Sequence, residues 1–418
     1  MFRRGIFYTY LSIYLRNYLG LSVTATTLFV TIPMLFSAIF QTFIWGRLSD
    51  RLQKRRTLII AGEIFAGILI LSLYILHAFQ TNLVLAGYII IGGLTITEIF
   101  WSMSNIGWTA LLSDLYPQKE RSTILGRITT LSGVGRMIGV FFGGYLYNGF
   151  GKFYKGWGFR EGSMFYITVI FIFISIIPMR FLVPEGGINY KQTFSDPKLN
   201  QQESNSSRSL SSKEKKIFTT FLISLLLINL GRNSIFAIFS QFLVLESGFN
   251  CSSQLLSYIM NTQSLAVVLT GFMAGILSKK FGDSLTLIMA TLMLIGFMLI
   301  TAFTTQVVLI FVGSFLWGSS YVLLSTASYG YVAKLIPETK RGKLFAYYNM
   351  AFFLSSGLAG TIITGPLVDR LISEGTLEVE AYRLAFVIGT IISTIGFGVF
   401  LGLEIWRGKK NETKNWHH

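Results

Sequence analysis

The sequence contains few charged residues. Asp, Glu, Lys and Arg make up 13% of the 418 residues, whereas soluble globular proteins contain about 25%. Hydrophobic residues make up 52%. A chain of this composition has too little polar surface to be hydrated on all sides. This argues against a soluble enzyme or binding module and indicates that lipid surrounds the chain.

Cysteine and histidine are also scarce. The single cysteine, Cys251, cannot form an internal disulfide, and two of the three histidines end the chain. The sequence shows neither zinc-ligand spacing nor a catalytic set of side chains. We therefore expect no metal, no cofactor and no enzymatic activity. A phosphate-binding loop of the Gly-x-x-x-x-Gly-Lys-Ser/Thr type is absent as well, so ATP is not the expected energy source.

Long apolar runs dominate the rest of the chain. A membrane-spanning helix needs about 20 mostly apolar residues. We identify six such runs on each side of a polar stretch, near residues 5–19, 24–46, 57–79, 83–111, 122–147, 163–183, 217–245, 252–277, 285–302, 307–332, 343–368 and 381–404. The sequence therefore predicts an all-α membrane protein of twelve transmembrane helices in two pseudo-symmetric six-helix bundles. The predicted domains are a bundle in 1–183, a linker in 184–216, a bundle in 217–406 and a tail in 407–418.

The net charge of +16 comes from basic clusters between the apolar runs. Lys and Arg concentrate in one set of connecting segments, namely 46–56, 113–121, 184–216, 278–284, 334–343 and 407–418. The positive-inside rule places these segments, and with them both termini, in the cytoplasm of a cell-membrane protein. Membrane topology thus accounts for the charge, and nucleic acid is not an expected partner.

The two halves share internal landmarks. Three segments of the second half repeat a pattern of the first: 275–280 repeats 46–51, 334–341 repeats 114–121, and 232–236 repeats 3–7. Transporters built from such repeats place a binding site near the midplane, between two rocking halves.

The third of these matches makes the first span unusual. The apolar residues 217–231 precede Arg232, but only Met1 and Phe2 precede Arg3. Residues 5–19 are too few to cross a hydrocarbon core of about 30 Å at about 1.5 Å per residue. We expect a truncated first helix whose natural start lies upstream; a short helix that begins partway into the membrane is the alternative.

Residues 46–56, GRLSDRLQKRR, resemble the signature loop between spans two and three of the major facilitator superfamily, with Gln53 in place of its second glycine. The resemblance implies a gating loop of Gly46, Asp50, Arg51 and Lys54. Asp50 is expected to cap a helix start in the other half, and Lys54 to pair with Asp114 at the end of span four. A loop that only fixes topology is the alternative.

Span five resembles the antiporter motif Gly-Pro-x-x-Gly-Gly at residues 139–144, with Val140 in place of the proline. Gly135, Gly139 and Gly143 recur on one helix face, a spacing that allows close helix packing. The resemblance implies that span five lies between the two halves, so we expect packing between the bundles here, with an inter-half contact of Arg136. Plain helix packing and a marker of export are the alternative interpretations of the glycines.

Charged residues in mid-span are the best candidates for chemistry, because they are costly in lipid. The resemblance implies that spans one, four, seven and ten line the central cavity, which makes Glu98 and Arg232 the leading pair. A structural ion pair or a capped buried charge is the alternative. Glu63 is expected to reach Arg55 and Arg56 in a structural role. The other predicted cavity residues are Arg3, Arg4, Trp101, Asn105, Asn233, Trp317 and Tyr321.

These features predict a secondary active transporter, acting as a monomer on a small-molecule substrate in the lipid bilayer. The glycine motif and the aromatic lining favour proton-coupled export of an amphipathic compound. Arg232 with Arg3 and Arg4 favours the alternative, uptake of a small organic anion. A non-transporting membrane receptor is the alternative from another class.

Overall fold

The computed structural model describes residues 1–116, 118–187, 211–336 and 341–415. The chain forms helices and turns, without a β-strand, in these ranges. It divides into two compact units, Met1–Glu203 with Cys251–Tyr258, and Ser204–Asn250 with Ile259–His418. We call them unit 1 and unit 2.

Unit 1 contains the first six spans. Helix α1 consists of three consecutive segments, Arg4–Tyr8, Thr9–Ile13 and Tyr14–Tyr18, of which the outer two have the wider π-helical turn. The other helices are α2 (Val23–Phe40, which continues through Gln41–Trp45), α3 (Gly46–Leu52), α4 (Arg55–Ala78), α5 (Leu83–Leu115), α6 (Gln118–Leu146), α7 (Trp157–Arg160) and α8 (Ser163–Leu182).

Unit 2 contains the other six spans. Its helices are α9 (Ser212–Ser234), α10 (Phe239–Val244), α11 (Ser253–Phe281, whose first turns belong to unit 1), α12 (Asp283–Phe303), α13 (Val307–Leu335), α14 (Arg341–Ala359, which continues through Gly360–Thr364), α15 (Gly365–Ser373) and α16 (Glu378–Asn415).

Ten stretches within the described residues are long and apolar enough to cross a membrane. Helices α1 and α6 take the first and fifth positions; α1 is short, and α6 carries Arg127 and Arg136 along its length. The predicted all-α fold with six spans in each half is confirmed.

The predicted linker and tail differ from the structure at three boundaries. Helix α9 begins at Ser212 instead of residue 217, because the side chains of Ser211 and Glu214 form a reciprocal capping box. Residues 184–187, predicted as linker, pack on unit 1, where Glu185 accepts a hydrogen bond from the backbone N–H of Thr57 at 3.0 Å. Helix α16 extends through Asn415, into the predicted tail.

A break in the seventh span lies beside Arg232. Helix α9 ends at Ser234 and α10 begins at Phe239, with turns between them. The break leaves backbone carbonyls without helical partners, and the Thr364 hydroxyl donates a hydrogen bond to the carbonyl oxygen of Ser234. Interrupted spanning helices of this kind are tolerated where other groups satisfy the freed backbone.

Candidate functional site

In unit 1, Arg3, which immediately precedes α1, forms an ion pair with Glu63 of α4. Arg3 Nη1 lies 2.5 Å from Glu63 Oε2, and the two side chains are 20% and 14% exposed. The Ser104 hydroxyl donates a hydrogen bond to the other carboxylate oxygen at 2.9 Å. The Arg3 guanidinium also lies over the ring of Trp101, 3.8 Å from its centroid, where the face of the ring attracts a cation.

This arrangement corrects the prediction for Glu63. Its partner is Arg3, and Arg55 and Arg56 bind elsewhere. Arg55 donates to Asp114 at 3.3 Å, and Arg56 lies 3.2 Å from the carboxylate of Glu185. The physical reason is depth: Glu63 lies about 12 Å along α4 from Arg55, too far for either basic side chain at the helix start.

Glu98 lies close to the same group of charges. The charged residues near enough to interact electrostatically with its carboxyl are Arg4, Arg3 and Glu63. The Tyr8 hydroxyl is also near enough to interact with Glu98 and with the two arginines. Unit 1 therefore brings together two arginines and two glutamates that the sequence spreads over three spans. The predicted pairing of Glu98 with Arg232 stays a prediction.

Arg232 in unit 2 is a buried cation with a different environment. It is 9% exposed, and its guanidinium lies 4.8 Å from the ring centroid of Tyr321. Its Nη2 donates to Oδ1 of Asn233 at 2.9 Å, whereas its Nε is buried without a hydrogen-bond partner. Asn233 is held in turn, since its amide nitrogen donates to the hydroxyls of Ser355 at 3.3 Å and Ser356 at 3.1 Å.

The remaining predicted cavity residues divide between core and surface. Trp317 is 3% exposed and stacks on Phe297 with ring centroids 4.8 Å apart, so it belongs to the core of unit 2. Trp101 is equally buried, but the Arg3 guanidinium lies over the face of its ring. Asn105 and Arg4 are exposed. Arg232, Asn233 and Tyr321 are therefore the predicted residues that unit 2 brings together.

The two arginine–aromatic pairs are repeat equivalents. Arg232 occupies in the second half the place of Arg3 in the first. Tyr321 precedes Lys334 by the same number of residues as Trp101 precedes Asp114. Each unit thus positions an arginine from its first span over an aromatic ring from its fourth.

The loop between α3 and α4 is centred on Arg55 and not on Lys54. Gln53 adopts a left-handed backbone conformation (φ 53°), which turns Lys54 outward and Arg55 inward. Arg55 Nε lies 3.3 Å from Asp114 Oδ2, with the two side chains 7% and 5% exposed. Arg55 also binds the hydroxyl of Ser49 at 2.5 Å. The predicted Lys54–Asp114 pair is therefore wrong.

The other members of the predicted gating loop lie around this pair. Gly46 opens α3, and Arg51 is exposed in its last turn. The Asp50 carboxylate, 81% exposed, lies 3.5 Å from Arg55 Nη2. A cap by Asp50 on a helix of the other half stays a prediction.

Unit 2 contains the same ion pair with reversed signs. Asp283, the first residue of α12, lies 2.6 Å from Lys334 near the end of α13, and Ser278 donates a hydrogen bond to Asp283. Arg55 likewise begins α4, and Asp114 lies near the end of α5. Both units therefore hold the start of their third span to the end of their fourth span by a buried charge.

Comparison with known proteins accords with this duplicated architecture. The family model described as Major Facilitator Superfamily matches residues 1–360 and 221–416. The chain belongs to the major facilitator superfamily. It is similar in structure to a mutant of the nucleoside transporter NupG (TM-score 0.72, 14% identity, 96% of each chain covered). It is also similar to a bacterial homologue of the human lysosomal transporter Spinster, inward-facing and occupied (TM-score 0.69, 12% identity, 96% of this chain and 93% of that chain). No curated protein matches significantly.

The family match establishes a transporter of this superfamily in a membrane. The two solved structures show the fold but not the solute, because proteins at 12% and 14% identity share architecture only.

The glycines of α6 pack against α1 within unit 1. A Cβ at Gly139 would meet the carbonyl oxygen of Phe2 and lie 3.0 Å from the backbone nitrogen of Ile6. A Cβ at Gly143 would lie 2.5 Å from the ring of Tyr10. These contacts account for the glycine spacing, whereas a contact between the bundles, including one through Arg136, stays a prediction.

Cys251 is a buried thiol just before α11. It is 5% exposed, and burial raises the pKa of its thiol to about 11. The thiolate is the reactive species, so at pH 7.5 we expect maleimide to label the folded protein about 100-fold more slowly than the protein unfolded in detergent. Equal rates in the two states, followed by mass spectrometry, would contradict this environment. The described residues hold no cluster of three or more His, Cys, Asp or Glu that could bind a metal.

Proposed function

We propose that this superfamily member is a proton-coupled secondary transporter that moves a small organic solute by alternating access. The observation that carries the proposal is the mid-span cluster of unit 1, in which Arg3 and Glu63 form an ion pair with Glu98 nearby. Charges in the middle of a bilayer cost about 2.5–3.5 kcal/mol each on insertion scales, so they persist mainly where function needs them.

The cluster provides two alternative arrangements of charge. When Glu63 is ionised, it neutralises Arg3 through a bond of 2.5 Å. A proton on Glu63 removes that neutralisation and leaves Arg3 to interact with Glu98 or with solvent. Proton binding therefore changes which groups are paired between α1, α4 and α5. A proton-coupled transporter needs such a link between protonation and helix positions.

The glycine motif and the aromatic lining predict that the transporter exports an amphipathic compound. The glycines are engaged in packing on α1, and Trp317 lies in the core. Both observations weaken the support for export. Arg232 is buried and has no carboxylate partner within the described part of the chain, which supports the alternative of an organic anion. We further propose that both termini lie in the cytoplasm, on the distribution of Lys and Arg. A monomer in the cell membrane stays a prediction.

Proton coupling is tested in liposomes loaded with a pH-sensitive dye. Purified full-length protein faces a panel of small organic anions and amphipathic cations, as wild type, Glu63→Gln and Glu98→Gln. We expect solute-dependent proton movement in the wild type and its loss in at least one of the two variants, because glutamine keeps the shape but cannot bind a proton.

The matched control is Glu374→Gln. This carboxylate forms an exposed ion pair with Arg370 at 2.7 Å, outside the cluster. The Glu374→Gln variant should therefore show the same proton movement as the wild type. Equal proton movement in the wild type and both cluster variants would return Glu63 and Glu98 to a structural role, and flux of solute without protons would indicate facilitated diffusion.

A further inference from the structure

The repeat equivalence of Arg3 and Arg232 reveals a missing charge in unit 2. Both arginines lie over an aromatic ring of the fourth span of their unit. In unit 1 the arginine is neutralised by Glu63, which is carried by the third span of that unit. The corresponding span of unit 2 is α12.

Helix α12 has no carboxylate to offer at this depth. Thr291 follows Asp283 by as many residues as Glu63 follows Arg55, and Asp283 is the only acidic residue between 283 and 303, all of which the structure describes. The fourth span, α13, has no acidic residue between 307 and 335, and its Gly318 stands at the place of Glu98. Unit 2 therefore retains the cation and the ring but lacks both acids.

The neighbours of Arg232 orient it without neutralising it. Asn233 accepts one of its N–H bonds through a neutral amide oxygen, and Tyr321 provides a ring face. The side chain has no carboxylate partner among the residues that the structure describes, and its Nε makes no hydrogen bond. A buried, uncompensated cation is costly, and a guanidinium presents a planar fork of donors that matches a carboxylate.

We propose that Arg232 binds a carboxylate group of the transported solute, which takes the place that Glu63 holds in unit 1. This assignment rests on the proposed transport function and names its solute class as an organic carboxylate. Tyr321, a residue that is 45% exposed, lies beside the same guanidinium and offers an apolar surface to the body of the solute.

The geometry also assigns a role to Asn233. Its amide nitrogen is fixed by two serine hydroxyls of α14, so its oxygen points at Arg232 and holds the guanidinium in one orientation. The break between α9 and α10 lies immediately after these two residues. Interrupted helices near the midplane are where transporters of repeat architecture bind their solutes.

The test uses three ring compounds that differ in one substituent: benzoate, phenyl phosphate and the uncharged benzamide. Binding to full-length protein in nanodiscs is measured by calorimetry and by thermal stabilisation. We expect benzoate to bind the wild type, and phenyl phosphate to bind more weakly than benzoate. Benzamide should bind at least about tenfold more weakly than benzoate, because its uncharged amide cannot form the same charge-assisted hydrogen bonds as a carboxylate.

Two variants separate charge from geometry. Arg232→Gln should weaken benzoate binding by about 10- to 100-fold, the range expected for a lost charge-assisted hydrogen bond. Arg232→Lys keeps the charge without the fork and should recover part of the loss. Glu374→Gln, remote from the site, should bind as the wild type does. Because benzamide is compared with benzoate on the wild type, the test does not depend on whether a variant folds.

The outcomes distinguish this inference from the proposed transport function. Benzamide binding as tightly as benzoate, or no binding of either anion by the wild type, would overturn the carboxylate site. If phenyl phosphate bound more tightly than benzoate, the group that Arg232 binds would be a phosphate instead of a carboxylate. Benzoate binding without proton movement in liposomes would leave the site standing and remove proton coupling, and proton movement without anion binding would do the reverse.

Discussion

Replacing Asp114 by asparagine is expected to lower the free energy of unfolding by about 3–5 kcal/mol, the cost of removing one partner from a buried ion pair. Asparagine has nearly the same shape and can still accept the hydrogen bond that the backbone N–H of Gly187 donates at 3.0 Å. The variant therefore removes charge and little else. Arg55, 7% exposed, would be left buried without a full counter-charge.

The measurement is an unfolding titration with sodium dodecyl sulfate in mixed micelles, followed by far-ultraviolet circular dichroism. Asp50→Asn is the matched control, because Asp50 also pairs with Arg55 but is 81% exposed. An exposed ion pair contributes only about 0–1 kcal/mol, so this control should unfold close to the wild type. Equal losses in the two variants would show that burial of the Arg55–Asp114 pair is not what stabilises the loop.

Unit 2 provides a design for the rescue. Its pair has the acid at the start of the third span and the base near the end of the fourth span, at 2.6 Å. The double variant Arg55→Asp with Asp114→Lys copies that arrangement into unit 1 and places an acid at a helix N-terminus, where the helix dipole favours it. We expect it to be more stable than either single variant, each of which leaves two like charges together.

The architecture could be predicted from the sequence because the length and apolarity of each run determine whether it forms a membrane-spanning helix. Twelve apolar runs, a polar stretch after the sixth and repeated landmarks define the superfamily fold without knowledge of a single contact. The repeat also indicated that Arg3 and Arg232 are equivalent residues. What it could not show is their different neutralisation, because the ion pair with Glu63 joins residues on two helices far apart in sequence.

The errors in the gating loop arise from one backbone angle. A sequence of adjacent basic residues does not reveal which of Lys54 and Arg55 faces Asp114, since that depends on the left-handed conformation of Gln53. The superfamily pattern, with glycine at this position, offered the signal that could have found it. Glycine marks a site of positive φ, and Gln53 adopts that conformation here.

Gly139→Ala and Gly135→Ala are expected to change stability in opposite directions. A Cβ at Gly139 would collide with the carbonyl oxygen of Phe2, so α1 must move away from α6, at a cost of about 1–3 kcal/mol. A Cβ at Gly135 would lie 3.6 Å from the backbone nitrogen of Phe2, which is an ordinary contact. Alanine there should stabilise by about 0.5–1 kcal/mol, because glycine is a poor helix former. Detergent unfolding of the two variants measures the change in the free energy of unfolding for each.

Arg3 immediately precedes α1, so displacement of α1 in Gly139→Ala should also weaken its 2.5 Å pair with Glu63 and reduce proton movement in liposomes. Two variants of equal stability would mean that α1 is not held against α6 by these glycines.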